Sequence, residues 1–120
     1  MEKSKIFTDL IVWQKAHAFV LNIYKITKDF PKEELFSLTS QLRRAAISIP
    51  ANIAEGYKKR GKQDKIRFLN IAEGSLEESH YYLILAGDLN YCNTKTLIKE
   101  TEEIAKLITS YSKAILSSIS

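Results

Sequence analysis

One cysteine, two prolines and four glycines occur in 120 residues. The lone thiol, Cys92, excludes an internal disulfide and any thiol cluster for a metal. So little proline and glycine leaves few sharp turns, which argues against a many-stranded fold and for a few long elements. No run of 18 uncharged apolar residues exists, so no membrane span is expected. The opening MEKSKIFTDLIVWQK is basic, but Asp9, Gln14 and Lys15 interrupt any signal-peptide core. A cytoplasmic location is the expectation. Neither G-x-x-x-x-G-K-[ST] nor G-x-G-x-x-G is present, so phosphate-cradling loops of those kinds are excluded.

What is present is 45% hydrophobic and 27% charged residues, the composition of one globular domain spanning residues 1–120. Net charge is +4 and is unevenly placed. The stretch KKRGKQDKIR, Lys58 to Arg67, sets six cations against Asp64 alone, so the remaining 110 residues are nearly neutral.

Apolar periodicity predicts four helices and no strand alternation. The first runs from Asp9 to Asp29, with Thr8 as N-cap and a Phe7–Val12 staple. It carries two apolar stripes: Leu10, Trp13, His17, Val20 and Tyr24, and Val12, Ala16, Phe19, Ile23 and Ile26. Together they span an arc of roughly 220°, well beyond that of a typical surface helix. One intrachain core does not cover so wide an arc, so the excess is expected to face another chain. Val12, Phe19, Ile23 and Ile26 are the candidate oligomer contacts.

Phe30-Pro31 ends this helix. A second begins between Glu34 and Leu38 and ends between Gly56 and Gly61, with Leu35, Leu38, Leu42, Ala45, Ala46, Ile49 and Ile53 as its apolar stripe. That stripe continues past Pro50, which predicts a kinked but continuous helix. The third runs from about Gln63 to Asn90, its inner face marked by Phe68, Ala72, Ser75, Leu76, Ser79, Tyr82, Leu83, Ala86 and Leu89. The fourth covers about Thr96 to Leu116, after Asn93 or Thr94 as N-cap. Its seam is Leu97, Thr101, Ile104, Ile108, Tyr111 and Ile115. Short connections make this an up-down-up-down antiparallel four-helix bundle.

The blocks QLRRAAISIPANIAEG (Gln41 to Gly56) and RFLNIAEGSLEE (Arg67 to Glu78) resemble the four-helix-bundle family called S23-type, or 23S rRNA intervening-sequence proteins. DLIVWQKA at Asp9 and FPKEELFSLTSQ at Phe30 extend the resemblance over nearly the whole chain. Its most specific part is SIPANIAEG. Arg43, Arg44, Pro50, Asn52, Glu55 and Gly56 are therefore taken as the structural motif. The resemblance implies a homo-oligomer, a pentameric ring of bundles, from a family often encoded within insertions in 23S rRNA genes.

Candidate chemistry is sparse. Glu77 and His80 form one E-x-x-H, but di-iron bundles need two with further glutamates, and His17 has no matching glutamate. Glu73, Glu77 and Glu78 are better read as a polar face or as partners for Arg43 and Arg44. No nucleophile–base pair can be placed around Cys92. No enzyme, cofactor or metal is expected.

The basic stretch carries the functional expectation. Lys58, Lys59, Arg60, Lys62, Lys65 and Arg67 are candidate phosphate contacts, and Tyr57 is a candidate base-stacking residue. Lys65 and Arg67 open a helix whose positive dipole end disfavours cations, so helix stability does not account for them. A ring would repeat the patch in every subunit. The expectation is a non-enzymatic oligomeric bundle binding RNA or DNA, or a nucleoprotein partner. The alternative is a structural protein–protein adaptor.

Overall fold

A computed structural model describes residues 4–118. Four α-helices follow one another: α1 (Ile11–Thr27), α2 (Leu38–Lys58), α3 (Lys62–Asp88) and α4 (Lys95–Ser117). No strand occurs among the described residues. Short 3₁₀ turns precede α1 (Phe7–Asp9) and α2 (Lys32–Glu34).

Local chemistry moves several helix ends from their expected places. Thr8 does not cap α1, because Phe7–Asp9 close a separate turn and Leu10 becomes the N-cap. The Asp9 carboxylate holds that turn by accepting from the amides of Lys5 (2.9 Å) and Ile6 (3.3 Å). Phe7 packs edge-on to Trp13 with ring centroids 5.3 Å apart. At the other end α1 stops at Thr27, whose hydroxyl donates back to the Ile23 carbonyl at 2.7 Å. Leu35 falls in the connection to α2 and is exposed, so it is not part of the core stripe.

The end of α3 has a specific cause. Asn90 sits at φ 62°, the left-handed region. Its amide donates to the Gly87 carbonyl (3.0 Å) and the Tyr91 amide to the Ala86 carbonyl (3.0 Å), the paired bonds of a Schellman motif. Thr94 is the residue before α4, yet its buried hydroxyl donates to the Leu83 carbonyl at 2.9 Å. The capping oxygen is that of Asn93, which accepts from the Lys95 amide at 3.1 Å.

Each helix packs beside its chain neighbours, and α4 closes against α1, in a rod of 50 × 24 × 20 Å. Phe19, Ile23, Leu42, Ile49, Ile53, Leu69, Leu76, Leu83, Ile104 and Ile108 fill the interior. Leu69 joins this core although it was not on the expected stripe of α3, whereas Leu89 is exposed. Asn22 ties α1 to α4 by donating to the Glu100 carboxylate at 3.2 Å.

The α2–α3 pair is the most extensive contact. Buried Ala72, Ser75, Ser79 and Ala86 keep the facing surface of α3 small. Gly56 does the same for α2: a Cβ there would lie 3.0 Å from the Phe68 Cβ. α2 is continuous through the buried Pro50. Beside it, the Asn52 carboxamide donates to the Ser48 carbonyl (2.8 Å) and hydroxyl (2.9 Å). Ser75 on α3 donates to the same hydroxyl at 2.8 Å, so SIPANIAEG supplies both an apolar face and a polar link to α3.

Candidate nucleic-acid interface

The connection between α2 and α3 brings the basic stretch to one end of the rod. The first and last described residues meet it there: the Tyr57 hydroxyl lies 3.0 Å from the Ser4 hydroxyl, and Lys62 donates to the Ser118 carbonyl.

The six cations do not share one role. Lys58 and Arg60 are exposed and form no ion pair among the described residues. Lys62 is half-exposed beside them. Lys59 pairs with Glu55 one turn back (3.6 Å) and stands 5.2 Å from the Phe68 ring centre. Arg67 pairs with Asp64 (3.6 Å) while its guanidinium lies 4.9 Å above the same ring.

Lys65 points inward instead. Its ammonium donates to the Tyr57 carbonyl at 2.7 Å and reaches the Gly56 carbonyl at 3.4 Å. Both carbonyls lie in the last turn of α2, where that of Gly56 also accepts the Lys59 amide at 3.2 Å and a cation meets the negative end of the helix dipole. Burial holds its pKa below the usual lysine value. Local stability therefore does account for Lys65, contrary to the expectation from its place at the start of α3. Helix geometry alone misses this, because the carbonyls belong to the preceding helix. Tyr57 is likewise engaged: its hydroxyl meets Ser4, and Lys65 lies 5.6 Å from its ring centre.

The expected oligomer contacts divide differently from the sequence pattern. Val12, Phe19 and Ile23 are buried within the single chain, at 4%, 0% and 0% exposure, and Ile26 packs against the same core. They are core residues, not surface available to a partner. On the other stripe of α1, His17 and Tyr24 are exposed, Leu10 and Trp13 are half-buried, and Val20 is buried. His17 stacks flat on Trp13, with centroids 5.0 Å apart and ring planes 9° apart. Together with Val20, Ile47, Pro50 and Ala51 these rings line an apolar groove of about 300 Å³ between α1 and α2. A second groove of about 340 Å³ continues from Ile47 toward Tyr24, Leu35 and Phe36. Phe36 is 91% exposed.

Arg43 and Arg44 do not pair with the acidic face of α3. Arg43 donates to the Thr27 hydroxyl at 2.8 Å and covers the Tyr24 ring at 4.5 Å, fixing α2 to α1. Arg44 is exposed and flanks a small polar notch with Gln41, Ser48 and Glu78. Among the described residues, no three His, Cys, Asp or Glu side chains converge as a metal site. Burial raises the Cys92 thiol pKa, the opposite of an activated nucleophile.

One polar cluster had no sequence signal. Glu34, in the α1–α2 connection, accepts from the Ser37 hydroxyl (2.6 Å) and from the Tyr91 hydroxyl in the α3–α4 connection (2.7 Å). These hydrogen bonds lower the Glu34 pKa below the usual carboxylate value and raise that of Tyr91.

These observations define an all-helical bundle with a cationic end and no assembled catalytic constellation among the described residues. The chain belongs to the 23S rRNA-intervening sequence protein family, which it matches over residues 8–110. It is similar to a solved structure from Bacteroides thetaiotaomicron, a protein of unknown function from the S23 ribosomal protein family. That similarity has a TM-score of 0.79 and 29% identity, over 86% of this chain and 99% of the other. Among curated proteins no match is found. No helix of the described residues is long and apolar enough to cross a membrane.

Proposed function

We propose that this protein is a non-enzymatic, self-associating helical scaffold that presents its α2–α3 connection to RNA. The carrying observation is the exposed pair Lys58 and Arg60 with the half-exposed Lys62 beside them, held by two helix ends within a chain that is otherwise nearly neutral. Such a group binds phosphates by releasing counterions and confers little sequence preference. Self-association rests on the apolar α1–α2 grooves and the exposed Phe36, and a ring is the arrangement expected from the family resemblance. Closed assembly would set several cationic ends on one particle and raise avidity.

The same grooves favour a second function, a protein adaptor whose partner covers α1 and α2. Titration of a labelled RNA by fluorescence anisotropy separates the two. A scaffold for RNA binds at low salt and releases as salt rises. An adaptor leaves the anisotropy flat at every salt concentration.

A further inference from the structure

Beside the cationic end, on the α3–α4 side, lies an open groove of about 660 Å³. Its walls are mixed. Ile66, Ile71 and Leu116 are apolar, and Ile71 and Leu116 are both substantially exposed. Gln63 and Asn70 add two carboxamides, each able to donate and to accept. Arg67 lines the same groove with a guanidinium that is backed by the Phe68 ring at 4.9 Å. An arginine plane so supported is a surface on which a nucleobase stacks.

We propose that this groove seats an unstacked base of single-stranded RNA whose phosphates run over Lys58, Arg60 and Lys62. The inference rests on the RNA-binding function proposed above and adds the form of RNA that is bound. Three features select this occupant. The neighbouring charge is positive, which complements a phosphate backbone. The groove joins a flat stacking surface to apolar walls, as a base face requires. The Gln63 and Asn70 carboxamides offer a base edge both donors and acceptors. A duplex keeps its bases paired and stacked, so it reaches the cations but leaves the groove empty.

The test compares one RNA sequence as a single strand and as a blunt duplex, with a 2-aminopurine placed within the strand. The single strand should bind about tenfold more tightly, the scale of one stacked base. Fluorescence of the 2-aminopurine should change on binding as that base leaves its neighbours. Asn70→Ala with Ile71→Ala removes one carboxamide and one apolar wall while keeping Arg67, so it should weaken the preference and reduce the fluorescence change. Duplex affinity and its salt slope should stay as they were. Both residues are exposed, so helix content by circular dichroism should be unchanged. Equal binding of both RNA forms, or an unaltered preference in the double variant, overturns the groove assignment and leaves the cationic contact standing. Absence of binding to either form at low salt overturns both.

Discussion

Gly56 and Gly74 undergo the same substitution with opposite expected results. Gly56 lies in the last turns of α2 against α3. An added Cβ would stand 3.0 Å from the Phe68 Cβ and 3.3 Å from the Lys65 carbonyl oxygen. Neither atom moves by rotating a side chain, so the helices must separate or Lys65 must lose its hold on α2. Such overpacking costs about 1–3 kcal/mol. Replacing a helical glycine by alanine returns about 1 kcal/mol through backbone entropy and propensity. Gly56→Ala should therefore be destabilised by as much as about 2 kcal/mol. Gly74 is exposed in the middle of α3, with nothing within 4 Å of its virtual Cβ. Gly74→Ala should gain about 0.5–1 kcal/mol. Urea denaturation followed by circular dichroism measures both. Several protein concentrations are needed, because the proposed self-association would add its own dependence. Equal midpoints for the two variants would refute the close α2–α3 approach at Gly56.

Three further perturbations follow from particular contacts. Asn90→Ala should lose about 1 kcal/mol by forcing an ordinary side chain into the left-handed region, while Asn90→Gly should be neutral or stabilising, as thermal melts will show. Glu34 has a lowered folded-state pKa, so its stabilisation is present above the unfolded carboxylate pKa and is lost as pH falls through the folded value. Tyr91→Phe should destabilise the protein at neutral pH and converge with the parent at low pH; a constant difference across the acid range contradicts the Glu34 contact. Phe19→Ala should cost about 3–5 kcal/mol and lower helix content, whereas Phe36→Ser should leave helix content intact and reduce assembly mass in light scattering.

Much of the fold was legible because its signals are local and periodic. The seam from Leu97 to Ile108 lies where helix spacing puts it, and the small residues of α3 mark its contact with α2. The two stripes of α1 show where periodicity stops. Both match helical spacing, and although one carries the more polar His17 and Tyr24, spacing alone does not decide that Phe19 and Ile23 turn inward while Trp13 and His17 line the outer groove. The cationic site shows a related limit. Counting charges from Lys58 to Arg67 located the candidate site, but the inward turn of Lys65 depends on carbonyls of another helix. The Glu34–Tyr91 contact joins residues 57 positions apart through ordinary side chains, so no spacing announces it.

The division among the cations gives the most direct measurement: the salt dependence of RNA affinity in two variants beside the parent. Lys58→Ser, Arg60→Ser and Lys62→Ser together remove the two exposed cations and the half-exposed one beside them. Each single-strand phosphate contact contributes about −0.7 to the slope of log K against log salt, so this variant should flatten the slope by about 2 per chain. Lys65→Ala removes an equal charge from the same stretch but from an inward position. It should lower thermal stability and leave the slope unchanged. A parent that binds no RNA at low salt, or a triple variant that keeps the parent's affinity and slope, contradicts the account.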